Sequence, residues 1–447
     1  MQQIRQFAVH GLFGSTLSHK IAFPKDSRVT IIAGPNGVGK THILRLMHAI
    51  LDLNINALIR MPFQEASLRF ADSKSLTVYR QPVDSGLGCH LTFEGTGPRG
   101  GKIGRTELIT DPEFGMSLER FEKHGTAFLD RATGNLVDAD LIDEYLRRMR
   151  VRERRLRTAG GNLQKTLFDT EFTHIDLEWL GEIIDSARPI FIDTKRLDTP
   201  KPKRPAEGGP GVKSRIDEYI EQVKVQVAEA RSASLAVTQE TDQSFAKRVL
   251  TRSKNLKNAS QSEALKRRYE DIAERSAELY RSGLSETLVD VQFPSSTVDA
   301  TETRVLSIFI DDWERKLEPL RPVNEKLKTL QRIVNEKFVG KQLRLDKAGA
   351  LVFVANDDKS LIPVTLLSSG EQHILALFTM LLFSAQPGSV VLIDEPEISL
   401  HAAWKHAFLD DITDVANIAD LQIVLATHSS GIINGRWDLV QELGLHR

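Results

Sequence analysis

Eight consecutive residues, Gly34-Pro-Asn-Gly-Val-Gly39-Lys40-Thr41, constrain this chain more than any other feature of its sequence. They follow the β-branched apolar run Val29 to Ala33. They precede a stretch with helical spacing, Thr41 to Leu53, in which Ile43, Leu44, Met47, Ile50 and Leu51 share one face. Strand, glycine loop and helix in that order form a cradle for phosphate. Glycines let backbone N–H groups point inward with no side chain in the way. A lysine six residues after the first glycine neutralises phosphate charge, the following hydroxyl reaches Mg²⁺, and the helix start adds its positive dipole end. The candidate phosphate contacts are Gly34, Asn36, Gly37, Gly39, Lys40 and Thr41, with Thr41 also a candidate Mg²⁺ ligand. The expected fold class is α/β.

Three later segments bear on the same chemistry. Val390-Val-Leu-Ile-Asp394-Glu395-Pro396 is an apolar strand that delivers two carboxylates at its carboxyl end. Asp394 suits the Mg²⁺ shell and Glu395 suits polarising an attacking water. Alone, this is also how an ordinary core strand ends, and the phosphate loop is what favours the functional reading. Leu367-Ser368-Ser369-Gly370-Glu371-Gln372 lies about twenty residues earlier and, taken alone, reads as an amino-terminal helix cap. Ala426-Thr427-His428-Ser429 follows the strand Gln422 to Leu425, where a lone histidine is most often structural.

Together these segments resemble the ATP-binding-cassette (ABC) ATPases. The Leu-Ser-Ser-Gly-Glu run at 367–371 is similar to the signature motif of the soluble members. The resemblance implies that Ser368 and Gly370 reach the γ-phosphate of an ATP held by another copy of the chain, so the expected assembly is a homodimer with two composite ATP sites. His428 resembles the family's switch histidine, and Ser399-Leu400-His401 resembles the loop that crosses the dimer interface. The implied catalytic set is Lys40, Glu395 and His428, with Thr41 and Asp394 on the metal and ATP and Mg²⁺ as the implied ligands. One position departs: in Phe191-Ile-Asp-Thr-Lys195-Arg196-Leu197, Lys195 stands where the family carries a glutamine, which implies slow or regulated hydrolysis.

Residues 42 to 366 separate the phosphate loop from the signature, far more than in a transporter cassette. That split resembles the SMC-like and overcoming-lysogenization-defect-like ATPases. The opening segment, the FIDTKRL stretch, LSSGEQ and IDEPEISLH together look like the ATPases of the Septu and PARIS anti-phage systems. The expected architecture is an ABC head split by a large, mostly helical insertion with a short helical hairpin. Residues 1–195 and 341–447 would form the two halves of the head and 196–340 the insertion. Within the insertion Ile216, Tyr219, Ile220, Val223 and Val227 share a helical face, and Leu265, Tyr269, Ile272 and Leu279 continue it with Ser276 in the missing slot. Such a hairpin is either a partner-docking arm or an internal oligomer contact. Upstream, Leu76 to Tyr79 and Cys89 to Phe93 read as strands of a side sheet, and the glycine-rich stretch Gly95 to Gly104 as a loop.

Bulk properties exclude some functions. A net charge of -1 gives no global attraction to nucleic acid. Seven arginines at 147–157 form a local exception, either a phosphate- or acidic-partner-contacting surface or a solvated helical face. The single cysteine, Cys89, precludes an internal disulfide and fits a reducing cytosol. Neither a signal peptide nor an apolar run of about eighteen residues is found, so a cytoplasmic protein without membrane contact is expected. The chain ends about twenty residues after His428, leaving no room for a metal-binding nuclease domain. The expected function is therefore an ATPase that serves as sensor or scaffold for a separate effector, a nuclease, in an assembly at or above the dimer. The alternative is a DNA-remodelling ATPase that clamps DNA.

Overall fold

The computed structural model describes residues 3–14, 18–82, 89–110, 121–124, 127–130, 136–138, 178–184, 189–193, 215–251, 259–286, 288, 293, 299–398 and 400–444. The arginine run at 147–157, Lys195, the proline-rich stretch 198–213 and Ser399 lie outside them. The fold is mixed α/β, and the chain forms two compact units, each discontinuous in sequence.

The first unit comprises residues 1–23, 45–186 and 444–447. Its main element is a six-stranded antiparallel sheet, in the order Ser18–Ala22, Ile4–His10, Glu65–Phe70, Ser75–Pro82, Cys89–Thr96, Lys102–Thr110. Period-two burial runs along these strands: Ala66, Leu68 and Phe70 on one, Leu76 and Val78 on the next, Cys89, Leu91 and Phe93 on a third. In the first strand a register shift between Ile4 and Gln6 moves the inward phase by one, so Ile4, Phe7 and Val9 are the buried set. A three-stranded antiparallel sheet, 121–124, 127–130 and 136–138, belongs to the same unit.

The glycine-rich stretch is a correction to the sequence reading. Gly95 and Gly104 are not loop residues; they are register partners on adjacent strands, and only 97–101 makes the turn. Each lies under the indole of Trp179, from the helix Glu178–Ile183, and a Cβ on either would overlap the ring. Glycine is here for close approach rather than for turning. The indole Nε1 donates to Thr106 Oγ1 at 3.1 Å, which fixes the ring over the pair. Gly104→Ala is expected to cost about 1–3 kcal/mol, the usual penalty for overpacking. Denaturant unfolding checks it, and a midpoint equal to wild type would remove this account of the two glycines.

The second unit comprises 24–44 and 187–443. Its centre is a five-stranded, wholly parallel sheet, in the order Ile190–Asp193, Val390–Asp394, Gln422–Thr427, Val29–Ala33, Val440–Glu442. Three strands, VTIIA, VVLID and QIVLAT, are buried at every residue. Continuous apolar runs rather than alternation are what a sheet covered on both faces requires. The covering helices contribute Val223 and Val227 from Arg215–Thr251, Leu327, Leu330 and Ile333 from Arg321–Lys337, Ile374 and Phe378 from Ser369–Thr379, and Phe408 and Ile412 from Lys405–Ile418. A small antiparallel sheet, Lys341–Leu345, Leu351–Ala355 and Leu361–Ile362, completes the unit.

The helical hairpin takes a particular form. Arg215–Thr251 and Ala259–Ser282 both pack on a third helix, Ala300–Leu317. Leu265, Tyr269 and Ile272 meet Ile310 and Trp313, with the Tyr269 and Trp313 rings edge-on at 5.6 Å. Arg248 forks onto Asp312, and Arg268 reaches both Asp311 at 2.9 Å and Glu314 at 2.7 Å. Asp299 and Glu302 close a capping box at the start of the third helix.

Candidate functional site

The parallel strands end at one edge, and Ala33, Asp193, Asp394, Thr427 and Glu442 are their last residues. In sheets of this kind ligands bind beyond the carboxyl ends of the strands. Asp193 and Asp394 are register partners, as are Asp394 and Ala426, and Thr427 and Ala33.

The glycine loop leaves this edge directly after Ala33. Gly37 and Gly39 have φ of 85° and 99°, a region that side-chain-bearing residues rarely enter. Gly34 is needed for room, because a Cβ would sit 2.9 Å from the Leu443 carbonyl oxygen. Lys40 opens the helix Lys40–Leu51 and is buried. Its Nζ donates to the carbonyls of Gly34 at 2.8 Å and Pro35 at 3.1 Å, so the ammonium is held under the loop. One residue on, Thr41 Oγ1 donates to Asp394 Oδ1 at 3.0 Å. The strand Gln422–Thr427 lies between the loop strand and the acidic strand, and this hydrogen bond reaches past it.

Glu395 follows with φ of 47°, unusual for a side-chain-bearing residue and costing about 1–2 kcal/mol. Its N–H donates to the Ala426 carbonyl at 2.8 Å, which pins this strained residue to the neighbouring strand end. Strain of this kind gathers at functional sites.

His428 stands at the next strand end, its side chain 47% exposed. The residue that holds it is Glu397, buried in the short turn Pro396–Ile398. Glu397 Oε1 accepts from Thr427 Oγ1 at 2.7 Å and from the His428 backbone N–H at 3.2 Å, and lies 3.1 Å from His428 Nδ1. The sequence reading missed Glu397. The available signal was a third carboxylate, three residues after Asp394, in a segment that the apolar strand throws onto the same edge.

Ser368 and Gly370 belong to a second cluster, at the amino end of Ser369–Thr379. Ser368 is the cap: its backbone N–H and hydroxyl both donate to Glu371 Oε2, at 2.9 and 3.0 Å. Lys341 Nζ donates to both Glu371 oxygens, at 2.8 and 3.0 Å. Burial would raise the Glu371 carboxyl, but the hydrogen bonds from Lys341 and Ser368, with the lysine charge, outweigh it and hold it below the usual range. A depressed carboxylate contributes stability that is present above its unfolded value and lost as pH falls through the folded one. Lys341→Met removes the lysine hydrogen bonds and charge that lower this carboxyl, so the acid limb of the stability curve is expected to move to higher pH. A limb unchanged in acid titration followed by circular dichroism would refute this coupling.

A parallel α/β sheet carrying a glycine loop, a hydroxyl–carboxylate pair and a pinned glutamate at one edge defines a nucleotide-binding ATPase domain. A family model described as "AAA domain, putative AbiEii toxin, Type IV TA system" matches residues 155–434, well over half of the chain, and the chain belongs to that family. The matched span holds Ser368, Asp394, Glu395 and His428, while the glycine loop precedes it. Among solved structures, the chain is similar to the Smc head domain of Pyrococcus furiosus with an extended coiled coil bound to the C-terminal domain of ScpA. That pair has 15% identity, covers 97% of this chain and 91% of that one, and has a TM-score of 0.35. It is also similar to the SMC head domain of Thermotoga maritima, at 10% identity over 98% and 94% of the two chains, with a TM-score of 0.33. No curated protein matches. Among the described residues no helix is long and apolar enough to cross a membrane.

Proposed function

We propose that the chain is an ABC-type ATPase that works as a homodimer, each ATP clasped between the glycine loop of one copy and Ser368 and Gly370 of another, and that it governs a separate effector in an anti-phage module. The observation that carries the nucleotide reading is the 3.0 Å hydrogen bond between Thr41 Oγ1 and Asp394 Oδ1 at the strand edge. Two hard oxygen donors side by side, one at the end of a phosphate loop, fit Mg²⁺. Bound there, the ion would neutralise phosphate charge.

In this reading the backbone of Gly34, Asn36, Gly37 and Gly39 lines the phosphates, and Lys40 turns its ammonium from the loop carbonyls to phosphate oxygen. Glu395 orients and polarises the attacking water, and His428 contacts the terminal phosphate. The exposed amino end at Ser368 suits an anion supplied from outside the protomer. For that, the Ser368 hydroxyl must exchange its bond to Glu371 for one to phosphate.

The effector part rests on the resemblance to defence ATPases and on the family description, which names a toxin of a toxin–antitoxin system, a pair of components. The test is a tagged Glu395→Gln pull-down from the native gene neighbourhood with ATP and Mg²⁺, read by mass spectrometry and a nucleic-acid stain. A stoichiometric nuclease-like protein is the expected result. Nucleic acid without a protein partner would overturn it in favour of a DNA-clamping ATPase.

A further inference from the structure

Glu397 has no role in the proposal above, yet it occupies the middle of the strand edge. It is 6% exposed. Three groups converge on its Oε1: the Thr427 hydroxyl, the His428 N–H and the His428 ring Nδ1. Its Oε2 is buried without a hydrogen-bond partner. A carboxylate with one oxygen idle in the interior is a poor stabiliser, because the desolvation of that oxygen is not returned.

The ring nitrogen decides what this carboxylate does. Nδ1 lies 3.1 Å from an oxygen that already accepts two hydrogen bonds. A lone pair on Nδ1 would face a carboxylate oxygen at contact distance and be repelled. A proton there turns the repulsion into attraction. Which histidine nitrogen carries the proton is set by the partner of the other, and a buried carboxylate behind a functional imidazole fixes both ring orientation and tautomer.

We propose that Glu397 is a positioning residue that holds His428 in the Nδ1–H tautomer, so that Nε2 is the ring atom offered to ligand. This rests on the ATPase reading. In the neutral ring Nε2 is then an acceptor for a water proton, and in the charged ring a donor to phosphate oxygen. With the opposite tautomer the neutral ring offers Nε2–H and accepts nothing from water. Thr427 contributes by donating to the same oxygen, and Ser429 N–H donates in turn to Thr427 Oγ1 at 3.0 Å, which fixes that hydroxyl as donor to Glu397.

The test is nitrogen NMR of the full chain with isotopically labelled histidine, at a pH where the ring is neutral. The His428 signals are those lost in His428→Gln. The expected spectrum has a protonated Nδ1 and a lone pair on Nε2. Glu397→Met, similar in size and without an acceptor, is expected to move the lone pair to Nδ1 in a large share of molecules. It should also lower kcat about ten- to hundred-fold, the usual cost of losing such an outer partner, with KM for ATP unchanged. Glu397→Gln keeps an oxygen acceptor and is expected to keep both the wild-type tautomer and most of the rate. A wild-type His428 protonated on Nε2, or a Glu397→Met spectrum like wild type, overturns the proposal. If Glu397→Met does not fold, the wild-type spectrum alone decides. Failure of the ATPase reading is a different result: no turnover by the wild-type chain, whatever the tautomer.

Discussion

Lys40→Ala is expected to weaken ATP binding severely. The ammonium is buried, 6% exposed, and satisfied by two loop carbonyls. It is therefore held beside the loop, where it exchanges those carbonyls for phosphate oxygen when ATP arrives. Removing one partner of such a desolvated, charge-assisted pair costs about 2–5 kcal/mol, roughly thirty-fold to several-thousand-fold in affinity. Calorimetric titration with ATP and Mg²⁺ measures it. The fold is expected to survive, because Lys40 spans only its own loop and the helix it opens is held by Ile43, Leu44 and Met47, all fully buried. Affinity within a few-fold of wild type would mean that the loop at 34–41 is not the phosphate site.

Glu395→Gln is expected to separate binding from turnover. Glutamine preserves size and hydrogen-bonding reach but cannot take a proton, and losing a positioned base costs about 10²–10⁴ in rate. The backbone that aims this residue, with its positive φ and its N–H on Ala426, is untouched by the change. ATP affinity should stay near wild type, and ATP-bound dimer should accumulate in light scattering. Wild-type turnover in this variant would remove Glu395 from the chemistry.

The elements that sequence alone makes legible are those whose chemistry is carried by residue type at short spacing. The glycine loop is one. The acidic strand is another: Val390 to Ile393 are all apolar because both faces of the sheet are covered, and Asp394 and Glu395 follow at the carboxyl end. What sequence does not show are contacts made across the chain. Glu397 is an ordinary turn glutamate until the strand Gln422–Thr427 brings Thr427 and His428 onto its Oε1. Composition likewise fails to separate a glycine that turns from one that makes room, and so Gly95 and Gly104 read as loop until Trp179 is placed over them. The helical faces at Val223 and Tyr269 are legible from spacing, but not what each packs on: the first covers the parallel sheet and the second meets Ile310 and Trp313 of 300–317, which spacing does not select. Ser368 reads as cap and as signature alike, and the structure puts its hydroxyl on the cap.

The central claim, that one ATP is shared between the glycine loop of one copy and the Ser368 helix of another, is tested most directly by mixing two dead variants. Lys40→Ala removes the loop function and Ser368→Arg blocks the helix start, and each alone should be inactive. Co-expressed with different tags and purified as the mixed dimer, they leave one composite site whole, and ATP hydrolysis is expected to return to about half the wild-type rate, one of two sites being intact. A mixed dimer that forms but stays as inactive as either parent would contradict the shared site and confine the chemistry to a single chain.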